Sequence, residues 1–313
     1  MKKHFHPEWY HGQKKKKMFF EGWYFKHVID QQAINFALIP GISKDPEDEH
    51  AFIQLIITPM MIIKYFRFDV SLFSVNDNPF TVQIDQNRFS LEGIQVNLME
   101  DTFSFNADLT YTHLTPIQTS FMFPNIMGPF SYLPNMECNH GVLSMNHKVN
   151  GYIQINKEVY DLNQEKGYIE KDWGVSFPKK YVWLQCNHFD ETTTSLMGSI
   201  AVIPYLGLSF EGHIFNLIHQ GQEYRFATYN GSRVALEYID EHTRNIELKK
   251  GKYRLVIRAR IEKTGALKSP RHGLMQEMIK EGLEGTLQMT LYNQKTCVFD
   301  LTGKHTGVEF TGY

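Results

Sequence analysis

EGWYFKHV at residues 21–28 and INFALIP at 34–40, met again in altered form as YVWLQC at 181–186 and GSIAVIP at 198–204, decide how this chain folds. Each run is short, rich in aromatic and β-branched residues and bounded by turn residues, the pattern of a strand. Trp23-Tyr24-Phe25-Lys26 leading to Ala37-Leu38-Ile39-Pro40 resembles Trp183-Leu184-Gln185-Cys186 leading to Ala201-Val202-Ile203-Pro204. Further pairs follow in the same order. Phe66-Arg67-Phe68 matches Tyr224-Arg225-Phe226, FSFNADL near Phe103 matches YRLVIRA near Tyr253, Thr115-Pro116 matches Ser269-Pro270, and HGVLSM near Gly141 matches EGTLQM near Gly285. The offset drifts along the chain, as it does when a duplicated unit acquires loops of unequal length. Two tandem β domains are expected, residues 1–166 and 167–313, with the junction near Gly167.

Working outward, strand-like runs recur over the whole length, among them AFIQLII, YFRFDVSLFS, FSFNADLTYT, HIFNLIH, LQMTLYN and CVFDLTG. Regular spacing of such runs signals a sandwich or barrel. In YRLVIRARI, Tyr253, Leu255 and Ile257 share one face while Arg254, Arg258 and Arg260 fall on the other, as in a half-solvated strand. One helix is expected at RHGLMQEMIKEGLE, where Leu274, Met275, Met278, Ile279 and Leu283 recur at helical spacing. The composition agrees with an all-β chain: 23 Phe and 16 Tyr among 313 residues suit pleated, half-buried surfaces.

A net charge of −2 offers no field for a polyanion, so nucleic acid is not an expected partner. The local run Lys14 to Lys17 could still draw the protein to an anionic membrane surface. Cys138, Cys186 and Cys297 are dispersed and odd in number, without zinc-like spacing, so neither a disulfide framework nor a structural metal is expected. The opening MKKHFHPEWYHG lacks the apolar core of a signal peptide, which points to a cytoplasmic protein; His4, His6 and His11 are read as part of a flexible arm. The uncharged stretch between Glu191 and Glu211 is broken by Gly198, Pro204 and Gly207 and reads as two strands rather than a membrane span.

Chemistry-bearing side chains concentrate in FFEGWYFKH at 19–27, GPFSYLPNMECNHGVLSMNH at 128–147 and GYIEKDWGVSFPKKYVWLQCNHF at 167–189. In this order the three segments resemble the tocopherol cyclase family, and EKDWG is similar to the related carotenoid 1,2-hydratase group. The resemblance implies two lipocalin-like β-barrel or curved-sheet domains, here with one short accessory helix. It also implies the conversion, by plant and cyanobacterial members, of a prenylated hydroquinone to a chromanol. The absence of a plastid-type extension at the N-terminus leads us to expect a bacterial, cytoplasmic relative.

Such a cyclisation needs an acid to protonate an alkene, shelter for the resulting tertiary cation, and a base for the phenolic proton; it needs no metal or redox cofactor. Asp172 is the expected acid, with Glu170 and Glu137 as rivals, and His140 or His188 is expected to receive or relay the phenolic proton. Trp23, Tyr24, Trp173 and Trp183 would shelter the cation through their ring faces. Gln185 and Asn187, two apart on a strand, would hold the head-group oxygens. Each residue also has a structural reading: Asp172 as a turn-stabilising carboxylate at the domain junction, Glu21 with Lys26 as a cross-strand ion pair, the tryptophans as core. A non-catalytic carrier of an isoprenoid or quinol ligand and a hydratase of an isoprenoid double bond are the competing functions, since one aromatic-lined site serves all three.

Overall fold

The computed structural model describes residues 2–205 and 207–313; these are all-β, with short 3₁₀ turns and no α-helix among them. The first sheet takes β1 (Phe19–Ile29), β2 (Ile34–Lys44), β3 (His50–Thr58), β4 (Ile62–Phe68), β5 (Phe73–Asp77), β6 (Phe80–Ile84), β7 (Asn87–Ser90), β8 (Gly93–Glu100), β9 (Phe103–Thr112), β10 (Cys138–Ile155) and β11 (Glu158–Gly174). Its order is β4-β3-β2-β1-β11-β10-β9-β8-β7-β6-β5. The second takes β12 (Tyr181–Cys186), β13 (His188–Phe189), β14 (Ser195–Tyr205), β15 (Leu208–His219), β16 (Gln222–Ala227), β17 (Arg233–Asp240), β18 (Thr243–Lys250), β19 (Tyr253–Arg260), β20 (Gly265–Arg271), β21 (Leu274–Asn293) and β22 (Thr296–Thr311). Its main path is β16-β15-β14-β12-β22-β21-β19-β18-β17, with β13 beside β22 and β20 beside β21.

Both paths follow one plan: a four-stranded meander whose first strand pairs with the last strand of a second meander. Five of the six matched pairs fall on equivalent strands of that plan, β1 with β12, β2 with β14, β4 with β16, β9 with β19 and β10 with β21, whereas Thr115-Pro116 lies outside any strand and Ser269-Pro270 lies in β20. The curved, lipocalin-like sheets carry separate apolar cores, one around Phe25, Phe36, Phe89 and Phe105, the other around Leu184, Phe215, Leu255 and Leu287.

The expected boundary between residues 166 and 167 falls inside β11. EKDWG is not a linker, because the segment pairs with β1 from Val28↔Lys166 to Phe20↔Gly174. The compact units are interleaved in sequence: the first holds the residues up to Pro116, Cys138–Ser176 and Lys268–Glu277, the second Ile117–Glu137, Phe177–Leu267 and Met278–Tyr313. The uncharged stretch before Glu211 lies in β14 and β15, paired from Ser195↔Ile218 to Tyr205↔Leu208. No helix among the described residues is long and apolar enough to cross a membrane.

The expected helix at 271–284 is strand. His272 and Gly273, both at positive φ (52° and 87°), close a two-residue hairpin loop between β20 and β21, the geometry of a type I′ turn. Further on, Cβ atoms at Gly282 and Gly285 would stand 2.8 Å from the Lys263 and Arg260 carbonyl oxygens, so glycine there lets backbones approach. Helical spacing of the apolar residues was a coincidence of composition, and Met278 is exposed. Gly273 also donates to the Val175 carbonyl at 2.7 Å and accepts from Ser43 Oγ at 2.7 Å. A Cβ would sit 2.5 Å from the Phe19 nitrogen. Gly273→Ala is therefore expected to destabilise the first unit by about 2 kcal/mol or more, from the positive φ and the clash together, read as a lowered melting temperature.

Candidate active site

Strands β1, β10 and β11 lie side by side in the first unit, and their register sorts the functional side chains onto two faces. Along β11, Tyr168, Glu170 and Asp172 point one way and Ile169, Lys171 and Trp173 the other, as alternation requires. On the first face His140 of β10 is opposite Asp172, Val142 opposite Glu170, and on β1 Tyr24 is opposite Glu170 and Lys26 opposite Tyr168. On the second face Trp23 is opposite Lys171 and Glu21 opposite Trp173. Both faces of β1 are buried along almost its whole length.

On the first face, His140 Nδ1 donates to Asp172 Oδ1 at 2.9 Å, its Nε2 stands 3.4 Å from Glu170 Oε2, and the Tyr168 hydroxyl donates to Glu170 Oε2 at 2.6 Å. Burial opposes charge on the imidazole, but the Asp172 and Glu170 carboxylates outweigh it and lift His140 to about 9, so near neutrality the ring is an imidazolium. Its Nε2 is buried without a hydrogen-bond partner. Burial, then the neighbouring Glu170, keep the Tyr168 phenol protonated far above its ordinary range. The result is an anion–cation–anion array whose exchangeable protons lie on a ring and a phenol. His140, Glu170 and Asp172 also bring one nitrogen and two carboxylate oxygens within 4.8 Å of one another, a set that a divalent cation could engage.

The second face holds a different device. Lys171, fully buried, pairs with buried Glu21 at 2.5 Å and donates to the Trp9 carbonyl and, at 3.1 Å, to His11 Nδ1. Its ammonium lies 4.5 Å from the centroid of Trp23 and 4.9 Å from that of Trp173. Burial draws Lys171 down to about 8 against the pull of Glu21. Glu21 is held anionic despite burial by Lys171 and His11, and it accepts the backbone N–H groups of His11 and Gly12.

Of the residues singled out in the sequence, Asp172, Glu170 and His140 come together, with Tyr24 on the same face. Trp23 and Trp173 do not share that face; they flank a resident cation instead. Glu137 precedes β10 in a segment grouped with the second unit. Trp183, Gln185, Asn187 and His188 belong to the second unit too. There Asn187 lies between β12 and β13, so the two-apart rule does not align it with Gln185; it stands 2.9 Å from His188 Nδ1. The expected Glu21–Lys26 pair is absent because odd and even positions of β1 face apart. The expected N-terminal arm is packed: His11 stacks on Trp173 at 4.2 Å. Tyr168 and Lys171 are not among the residues singled out in the sequence, where His11 is read only as part of a flexible arm, although the Tyr168/Glu170/Asp172 alternation is available as a signal.

Residues 120–312 match the family described as tocopherol cyclase-like, which is more than half of the chain. The chain belongs to the tocopherol cyclase-like family. Among curated relatives, the probable chloroplastic tocopherol cyclase of Oryza sativa subsp. japonica is 30% identical over 87 residues, 26% of this chain and 18% of that protein. The chain thus matches less than a fifth of the length of that relative. Two solved structures share the fold of this tocopherol cyclase-like protein. CghA with Sch210972 has a TM-score of 0.59 at 10% identity, covering 94% of this chain and 88% of the other. Kievitone hydratase from Nectria haematococca has a TM-score of 0.53 at 10% identity, covering 93% and 88%.

Proposed function

We propose that this tocopherol cyclase-like protein is a cofactor-free acid–base catalyst that closes a prenylated hydroquinone, or a related isoprenoid phenol, to a chromanol-type ring. The observation that carries this reading is the buried Nε2 of the His140 imidazolium, which makes no hydrogen bond and stands 3.4 Å from the Glu170 carboxylate that pairs with it. The imidazolium, not Asp172 itself, is the proton donor. Its Nε2 proton passes to the alkene carbon and leaves a tertiary cation; the phenolic oxygen bonds to that cation, and its proton goes to Glu170, whose charge the Tyr168 hydroxyl steadies. Return of that proton from Glu170 Oε2 to Nε2 restores the resting state, so substrate and product are isomers and nothing is consumed. Asp172 fixes the ring through Nδ1 and keeps it charged.

The test is incubation with a panel of prenylated hydroquinones, followed by chromatography and mass spectrometry. An isobaric product of changed retention supports the cyclase. A product heavier by one water would assign the chain to hydration, in which solvent captures the same cation, and retention of an unaltered lipid would make it a carrier.

The pH dependence follows from the raised His140 value. A catalyst that needs the imidazolium loses activity as pH rises through about 9. The same shift sets a stability term with the same direction: it is fully present below the unfolded histidine value near 6.5 and is lost as pH rises toward about 9. A rate profile flat to pH 10 would remove His140 from the donor role.

A further inference from the structure

The solvent-facing side of the first sheet carries a feature that the proposed cyclisation does not use. Over β8, β9 and β10, an open trough of about 450 Å³ is lined by hydrogen-bonding side chains, uncharged but for Asp108. The register arranges them in two ranks, Gln95–Asp108–Tyr152 and Asn97–Asn106–Gln154. Asparagine and aspartate are poor strand residues, and the middle of a strand needs a reason to contain them. An internal reason is missing. The side chains of Gln95, Asn97, Asn106 and Asp108 make no hydrogen bond to any described residue, while the alternate positions Val96, Leu98, Phe105 and Ala107 are buried in the core. Tyr152 stands beside them with 42% of its surface exposed. No lysine or arginine lines the trough, which argues against a phosphate-bearing ligand.

We infer that this face is a binding site for a neutral saccharide. Amide side chains offer a donor and an acceptor side by side, the pairing that neighbouring hydroxyl groups require, and Asp108 adds an acceptor. The Tyr152 ring supplies the flat apolar surface on which the C–H face of a pyranose rests. Antiparallel pairing sets neighbouring side chains within a rank roughly 4.8 Å apart and the two ranks roughly 6.8 Å apart along the strands. The sugar could arrive as a free oligosaccharide or as the head group of a glycolipid; the recognised chemistry is the same.

Two arms of one experiment separate these sources. In the first, the full-length protein is titrated calorimetrically with cellotetraose, maltotetraose, mannotetraose and xylotetraose. In the second, it is mixed with phosphatidylcholine vesicles with and without digalactosyl diacylglycerol, and co-sedimentation is measured. Binding in at least one arm is expected, weakened at least tenfold by Tyr152→Ala and by Asn106→Ala, and kept by Tyr152→Trp. Both positions lie on the accessible face, and circular dichroism checks that each variant is folded. Response in the first arm identifies a free saccharide; response only to the galactolipid vesicles identifies a glycolipid. Failure of both arms at millimolar ligand overturns the proposal, as does binding that survives the Tyr152→Ala/Asn106→Ala double variant. Neither result bears on the His140 chemistry, which lies elsewhere on the sheet.

Discussion

Replacing His140 with glutamine is expected to lower turnover by about 10²–10⁴-fold, the usual contribution of a positioned general acid, while leaving the protein folded and able to bind its ligand. Glutamine keeps a donor near Asp172 but has no proton to give. The loss should fall on kcat rather than on KM, because the group acts on the reacting carbon and not on the rest of the ligand. The alkaline limb near pH 9 should disappear with the histidine. Asp172→Asn makes the complementary case. It removes a negative charge 2.9 Å from Nδ1 that helps to raise the imidazole, so the limb should move to lower pH with part of the rate retained. Chromatographic product assays over pH 6–10 read both effects. Equal rates for wild type and His140→Gln would transfer the donor role to another group.

Lys171→Met is expected to be the most destabilising single change in the first unit, by about 3–5 kcal/mol. It would strand the Glu21 carboxylate, fully buried, with only backbone N–H groups and His11 as company. It would also take the cation from between the rings of Trp23 and Trp173. The double change Glu21→Gln with Lys171→Met removes both charges and should recover much of the loss, since an apolar or neutral pair avoids the desolvation that the ions suffer. Urea denaturation of the four proteins of this cycle measures the coupling. A Lys171→Met protein as stable as wild type would mean that the pair contributes nothing net.

Strand type, duplication and the residues around EKDWG were legible because they depend on local pattern. The plan of the sheets follows from runs such as INFALIP and its echo GSIAVIP, whose period is written in the text. What was hidden is register. A shift of one residue exchanges the faces of a strand, and which face of β11 meets His140 is fixed only by β10, joined to it through a bulged hairpin. Even so, Asp172 and Trp173 are neighbours, and on any strand they must point apart; the expectation that both would line one cavity conflicted with alternation. The role of Lys171 was concealed for another reason. A lysine beside a glutamate and an aspartate reads as surface, and its true partner, Glu21, sits in a distant segment. The segment 271–284 misled because five apolar residues within a short window fit a helix as well as a strand, and only pairing decides.

The interleaving of the first unit bears on how the chain is made. His11 and Lys171, 160 positions apart, must meet before the N-terminal segment is held in place, so the segment synthesised first waits for β11. Lys268 and Gly273, which receive Gln54 and Ser43, emerge later still. A ribosome must therefore have delivered nearly the whole polypeptide before the first unit can close, and long-range pairing of this kind is slow and leaves sheet edges open meanwhile. A gene fragment ending at residue 176 would encode every member of the His140 cluster and yet lack the hairpin that completes its scaffold.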